Sequence, residues 1–269
     1  MSRVAFLTTV FPMELEYLKE MLDSLVMQSF TDFDLIVVND GLTELTKLTK
    51  TYKNKLKIIE LKGITNPAKN RAIGINYCIE EGYEYLVFGD SDDTFSSNRV
   101  QLALEKLQLF DIVVNDLTLF NSYGILEEHY LSNRVINDEQ IEFDFIKNKN
   151  LFGLSNTAIR LEGITPIELP ADLVAVDWYF FTILLLKNRT AVFTNLAVTN
   201  YRQYSGNLVG LKKLNKESFL RGLKVKQQHY QALKQITEKV DKEYQQYCRN
   251  DIAFKEKTEL AYPLWWELI

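Results

Sequence analysis

The chain of 269 residues is poor in cysteine, with only Cys78 and Cys248, far apart and each in a helix-like context. That leaves no disulfide framework and no thiol-based zinc site to read, and a reducing cytoplasm fits. A basic excess is missing as well. Against 36 Asp and Glu stand 31 Lys and Arg, a formal charge of -5, which argues against a nucleic-acid partner. Long hydrophobic runs are also absent: the longest charge-free apolar-rich stretch, Trp178 to Leu186, is far too short to span a bilayer. After Met1-Ser2-Arg3 the sequence passes directly into strand-like Val4-Ala5-Phe6-Leu7, without the successive regions of a signal peptide. There is no Gly-x-Gly-x-x-Gly fingerprint, and Thr8-Thr9-Val10-Phe11-Pro12 after the first strand is not a glycine-rich phosphate loop.

What remains is an ordinary globular composition, 46% apolar and 25% charged, long enough for one large α/β domain or a domain with an appendage. Apolar runs at residues 4–10, Phe33 to Val38, Leu56 to Leu61 and Tyr85 to Phe88 read as strands. Helical patterns fall between them: after Pro12, over residues 43–52, and from Asn66-Pro67 to the Gly82 stop. This alternation predicts an α/β fold with a mostly parallel sheet, right-handed crossovers and helices on both faces. Past Arg99 to Leu107, a further helix, Asp111 to Phe120 and Ile125 to Tyr130 read as strands of a hairpin turning at Asn121-Ser122-Tyr123-Gly124. The sheet is therefore expected to become mixed.

The fourth strand runs straight into Gly89-Asp90-Ser91-Asp92-Asp93-Thr94. In an open α/β sheet, ligands bind beyond the carboxyl ends of the strands, so Asp90 and Asp92 are delivered to a ligand mouth. Crowded carboxylates call for a cation, and Mg²⁺ or Mn²⁺ typically takes one or two of them while leaving sites for phosphate oxygens. The competing reading is a solvated turn that caps the next helix through Asp93, Thr94 or Ser96. Asp40, at the end of the second strand, projects at the same edge, although Asn39-Asp40-Gly41 is also a strong turn signal. Asp177 interrupts the apolar stretch from Leu173 to Phe181. Burial there raises a carboxyl toward the range of a useful general base, while N-capping of the helix that follows would favour the ionised form.

Several segments together resemble the family 2 glycosyltransferases of the GT-A fold. They are Thr8-Thr9-Val10-Phe11, Gln28-Ser29-Phe30 with Asp34 to Gly41, Ala68-Lys69-Asn70-Arg71-Ala72-Ile73, and Phe88-Gly89-Asp90-Ser91-Asp92-Asp93. Val176-Asp177-Trp178 and Tyr201-Arg202-Gln203-Tyr204-Ser205-Gly206-Asn207 match later landmarks of bacterial members that build surface polysaccharides. The resemblance implies a GT-A domain over residues 1–210, with a nucleotide-binding half (1–110) and an acceptor half (111–210), followed by a helical extension (211–269). By the same resemblance, Thr9 and Phe11 line the nucleotide pocket and Asp40 accepts from the base. Asp90, with Ser91 beside it, meets ribose or donor sugar, and Asp92 ligates a Mn²⁺ or Mg²⁺ bridging the diphosphate. Lys69 and Arg202 lie near phosphates or acceptor, and Asp177 is the base of an inverting transfer. The donor is then a UDP or dTDP sugar, and the acceptor a saccharide or lipid-linked saccharide. Two positions depart from the pattern: Lys69 stands where many relatives have Arg, and Tyr204 where relatives often have His.

Two rival readings stand beside this one. Asp90-x-Asp92-x-Thr94 also fits a haloacid-dehalogenase-like phosphatase, although that motif belongs on the first strand. A degenerate homologue that binds nucleotide sugar or glycan without turnover is the other. In the tail, Lys212 to Lys226 is basic, and Tyr230, Leu233, Ile236, Val240, Tyr244 and Tyr247 form one apolar stripe of a helix. The stripe normally packs on its own domain; a homodimer seam is the minority reading. Trp265-Trp266 is read either as an interfacial anchor for peripheral membrane contact or as a plug against the core.

Overall fold

The four apolar runs of the first third of the chain become four parallel strands, β1 (Val4–Val10), β2 (Asp34–Asn39), β3 (Lys57–Lys62) and β4 (Tyr85–Phe88). They lie in the order β3-β2-β1-β4 and are linked by helices α1 (Leu15–Val26), α2 (Leu45–Thr49) and α3 (Pro67–Glu80). This computed structural model describes residues 3–204, 216–250, 252 and 263–269. Ser205, Gly206 and Asn207 of the late landmark, and Lys212 and Lys213 of the basic segment, lie outside the described residues. The helix starts follow from local chemistry. At α3, the Asn66 side chain accepts from the Lys69 N–H at 2.9 Å and Pro67 occupies the first turn, where a missing N–H costs nothing.

After β4 come β5 (Thr94–Phe95), α4 (Arg99–Leu107), β6 (Ile112–Asn121) and β7 (Gly124–Glu127). The expected hairpin is β6–β7, closed where Asn121 Oδ1 accepts from the Tyr123 N–H at 2.8 Å. Next are α5 (Phe143–Ile146), β8 (Thr157–Arg160), α6 (Val176–Leu186) and β9 (Ala191–Arg202). β8 inserts antiparallel between β4 and β6, and β9 lies parallel to β6. As a result β1, β2, β3, β4, β6 and β9 all point one way and only β5, β7 and β8 oppose them, the mostly parallel but mixed sheet the sequence predicts.

Alternation along β1 feeds a core on each face. Ala5 and Leu7 pack with α3 and α6 residues such as Ile75 and Phe181, whereas Val4 and Phe6 pack with Leu18 and Leu22 of α1 and Val100 of α4. The tail departs from expectation. The stripe from Tyr230 to Tyr247 is not one helix, because α7 (Lys216–Lys234) ends where the Ile236 and Thr237 N–H groups fold back onto the Leu233 carbonyl at 2.9 and 3.0 Å. Ile236 is left exposed, and the chain resumes as α8 (Asp241–Tyr244) and a π-helical turn, Gln245–Arg249. Tyr230, Leu233, Val240 and Tyr247 are still buried in the core cluster of this chain. The 3₁₀ turn Trp265–Leu268 brings the Trp265 ring 5.7 Å from that of Trp178, so the tryptophan pair plugs back onto α6. No helix among the described residues is long and apolar enough to cross a membrane.

Gly89 joins β4 to the acidic turn in a space with no room for a side chain. A Cβ there would stand 2.4 Å from Phe6 Cζ and 2.6 Å from Phe95 Cζ. Both rings are buried and packed against each other at 5.2 Å, so neither can swing away cheaply. Gly89→Ala is expected to destabilise the protein by about 1–3 kcal/mol, the usual cost of overpacking a core, seen as a lowered urea midpoint with an unchanged m-value.

Candidate active site

The acidic turn is built by burying one of its own carboxylates. Asp93 is fully buried; its Oδ2 accepts from Ser155 Oγ and its Oδ1 from the Arg202 N–H at 2.8 Å. Burial, reinforced by Asp92 and Asp90, pushes its pKa well above the usual carboxylate range. Under the turn lies Arg99, also fully buried, with Nε donating to Asn115 Oδ1 at 2.8 Å and its guanidinium 4.5 Å over the Phe95 ring. Burial lowers Arg99 to about 9 against the pull of Asp93 and Asp90, so it keeps its charge at neutral pH. Arg202 grips the turn from β9: its Nε donates to the Asp92 carbonyl at 2.7 Å and its guanidinium lies over Tyr17 and Phe120 while pairing with Glu20.

Asp90 and Asp92 are then free to face a cavity of about 350 Å³, at the lower end of the range for small-molecule sites. Asp90 pairs with Arg71, and its N–H donates to Ser155 Oγ at 3.2 Å. Asp92 Oδ2 accepts from the Tyr204 hydroxyl at 2.8 Å, and burial followed by the charge of Asp90 raises its pKa. Asp177 lines the same cavity from the first turn of α6. It is not the N-cap, which is Ala175; instead its Oδ1 accepts from the Trp178 N–H at 2.8 Å and Asn150 Nδ2 at 3.1 Å. Burial pushes Asp177 up to about 6 against those two hydrogen bonds. One carboxylate oxygen thus takes two donors at the helix start, and the other has no hydrogen-bond partner among the described residues.

Of the residues singled out from sequence, Thr9, Phe11, Asp90, Ser91, Asp92 and Asp177 line this one cavity, whereas Asp40, Lys69 and Arg202 do not. Asp40 sits at the end of β2 and accepts from Asn70 Nδ2 at 2.9 Å. Lys69 reaches Glu168 at 3.4 Å, and Arg71 from the same helix lines the cavity. Two helical positions turn through about 200°, which puts residues 69 and 71 on opposite faces of α3. Arg71 was not singled out from sequence. Asn150 was missed too; it lies in a stretch without periodicity, and nothing local marks it.

The carboxylates can be tested against the divalent ion that the resemblance implies. No group of three or more His, Cys, Asp or Glu with metal-holding geometry occurs among the described residues. Asp92 presents a desolvated, negatively biased carboxylate beside Asp90, and one or two carboxylates completed by phosphate oxygens is the usual provision for Mg²⁺ or Mn²⁺. The residues present therefore fit such an ion held jointly with a diphosphate.

Comparison with known proteins bears on the family and the fold. Residues 9–160 match the family model described as "Glycosyl transferase family 2". The chain is 29% identical over 127 residues to a teichoic acid poly(glycerol phosphate) polymerase of Staphylococcus epidermidis, covering 45% of this chain and 17% of that one. It is 23% identical over 223 residues to the glycosyltransferase GlyA of Streptococcus pneumoniae, covering 77% of this chain and 31% of that one. The chain thus spans less than a third of these relatives' length. A crystal structure of S. aureus TarS 1-349 with UDP-GlcNAc superposes with a TM-score of 0.65 at 19% identity, over 91% of this chain and 71% of that one, and shares its fold.

The raised pKa of Asp177 makes a stability prediction. Between the unfolded value near 4 and the folded value of about 6, the native state holds the proton more tightly, so ionisation above that window costs stability. Asp177→Asn keeps an oxygen for Trp178 and Asn150 and removes the charge. It is expected to raise stability at pH 8 by about 1 kcal/mol after solvent screening, roughly 2–4 °C in Tm, with the gain vanishing near pH 4. Scanning calorimetry of both proteins at the two pH values measures it.

Proposed function

The chain belongs to glycosyl transferase family 2, and from that premise we propose that it moves a sugar from a UDP- or dTDP-linked donor to a saccharide or lipid-linked saccharide acceptor. The setting is bacterial surface polysaccharide synthesis at the inner face of the membrane, and the anomeric centre inverts in one in-line displacement. One observation carries this reading: Asp90, Asp92 and Asp177 line one cavity, brought together from strand and helix ends far apart in sequence. The family match ends at residue 160, so the assignment of Asp177 leans on geometry. A nucleotide donor gains support from the TarS crystal structure in complex with UDP-GlcNAc.

In this mechanism Asp92, with Asp90 beside it, would hold Mn²⁺ or Mg²⁺. When bound, the ion offsets the negative charge that grows on the departing nucleotide. Arg71 adds a fixed positive charge at Asp90 and orients that carboxylate toward the donor. Thr9 and Phe11 form the nucleotide wall, with Phe11 45% exposed and so able to take a flat ring against its face. Asp40 accepts from the base, held in place by Asn70. Lys69 and Arg202 serve from outside the cavity, Lys69 at the rim of α3 and Arg202 by fixing the backbone of Asp92. Asp177 takes the proton of the acceptor hydroxyl as that oxygen attacks the anomeric carbon and the bond to the nucleotide diphosphate breaks. A pKa of about 6 leaves it ionised at neutral pH, yet more basic than an exposed aspartate.

Three measurements test the reading. UDP or dTDP should raise Tm in the presence of Mn²⁺ or Mg²⁺ and not in EDTA; protection that survives chelation removes Asp92 from metal ligation. Asp177→Asn should lower transfer by about 10²–10⁴-fold while keeping the UDP-dependent Tm shift. The wild-type kcat/KM should fall tenfold per pH unit below about pH 6, following protonation of Asp177. A wild-type protein that binds nucleotide sugar and turns none over would instead be a binding homologue.

A further inference from the structure

Part of the wall of the same cavity comes from the far end of the chain. Leu264, Trp265 and Trp266 line it together with Tyr130, Leu151 and Val225. The segment is docked by one ion pair of good geometry: Arg134 Nε and NH2 donate to the two carboxylate oxygens of Glu267 at 2.7 and 2.9 Å. Glu267 turns back to accept from the Leu264 N–H at 2.7 Å, and Arg134 lies 4.6 Å over the Tyr130 ring. The same bidentate contact therefore fixes two of the aromatic walls at once. Against α7 the fit is close, since a Cβ on Gly222 would meet Ile269 Cδ1 at 2.2 Å and Trp265 Cε3 at 3.5 Å.

Trp265 is also one contact away from Asp177. Its ring meets that of Trp178 at 5.7 Å, and the Trp178 N–H is what holds Asp177 Oδ1. Trp178 has no freedom to adjust: His229 stacks on it at 3.6 Å and 5°, Tyr230 meets it edge-on, and its Nε1 donates to the Ile146 carbonyl at 2.8 Å. This wall and the start of α6 are thus one packed unit.

The charge of the cavity narrows what it can receive. Among the described residues its charged side chains are Asp90, Asp92 and Asp177 against Arg71 and Arg221, and those two cations are already paired, with Asp90 and, at 3.2 Å, with Glu217. A polyanion would meet the three carboxylates with both of these cations engaged, whereas a neutral sugar ring can lay its C–H face on an indole and turn its hydroxyls toward Asn150 and Asp177. We infer that the Leu264–Trp266 wall is the acceptor subsite, that it takes an uncharged sugar ring rather than a polyol phosphate, and that Trp265 is its specificity-determining residue. Its role as an acceptor site rests on the sugar-transfer reading; its ability to bind a saccharide does not.

The test separates the two. Calorimetric titrations with lactose, N,N′-diacetylchitobiose and a glycerol phosphate trimer are compared for wild type, Trp265→Ala and Trp265→Phe, each first checked for its UDP- and Mn²⁺-dependent Tm shift. At least one neutral disaccharide should bind in preference to the trimer. Trp265→Ala should weaken that binding, and raise the acceptor KM, by roughly tenfold with the donor KM and the UDP shift unchanged, and Trp265→Phe should recover most of it. Preference for the trimer, absence of saccharide binding at millimolar concentration, or equal loss of donor and acceptor affinity overturns the subsite. Trp265-dependent saccharide binding by a protein that turns over no nucleotide sugar overturns the transfer reading and leaves the subsite standing.

Discussion

Everything at the site depends on how the fold tolerates a buried carboxylate next to two others. Asp93 has no access to solvent, and an uncompensated charge at such a place costs several kcal/mol. The compensation comes from three directions: Ser155 just before β8, the Arg202 N–H at the end of β9, and Arg99 at the start of α4. Once Asp93 is tied down, its neighbours on the turn are held at fixed spacing with Asp90 and Asp92 on the open side. The geometry of the turn is set by the one of its three acids that points inward.

That constraint accounts for the topology of the second half. A chain that only repeated β then α would leave the end of β4 flanked by another parallel strand and a loop. Inserting β8 antiparallel beside β4 instead carries Ser155 to the carboxyl end of β4, because the start of an antiparallel strand lies at its neighbour's finish. Running β9 parallel to β6 for its whole length, with a register shift at Asn115 and Asp116, brings Arg202 back to the same edge. The mixed sheet is thus the arrangement that supplies donors to a crowded strand end.

The sequence disclosed these parts unequally, for physical reasons. β1 to β4 were legible because a strand buried on both faces must be a continuous apolar run, and helix starts such as Asn66-Pro67 carry their own chemistry. β8 was not legible, since Thr157-Ala158-Ile159-Arg160 is four residues long and draws its stability from two neighbours rather than from its own pattern. β9 was hidden differently: polar Thr194, Thr199 and Asn200 interrupt it because they face side-chain partners in Asn137, Asn115 and Thr94. Asp177 stood out as a carboxylate inside apolar sequence, yet Arg71 did not, because a charged residue on a helix looks the same whether it faces solvent or a cavity. The stripe beyond Tyr230 gave four buried residues, Tyr230, Leu233, Val240 and Tyr247, but the wrong element and an exposed Ile236, as spacing by threes and fours survives a turn at Lys234 that periodicity does not register.

The apolar environment that makes Asp177 basic is the same one that forms the aromatic wall of the cavity. A general base for a sugar hydroxyl has to be ionised at neutral pH and still want a proton, which confines its pKa to a narrow interval. Desolvation alone would overshoot, leaving the carboxyl protonated and inert. The Trp178 N–H and Asn150 bonds to one oxygen pull it back, and the result of about 6 falls inside the interval. Because the Trp178 ring is fixed by His229 and Trp265, the hydrogen bond that tunes the carboxyl is itself set by packing from the tail of the chain. Loosening that packing would admit water, weaken the N–H bond and move the pKa in two opposed directions at once. The ionisation of Asp177 and the shape of the surface beside it are therefore not independently adjustable, and a change in that aromatic wall carries a change in proton affinity with it.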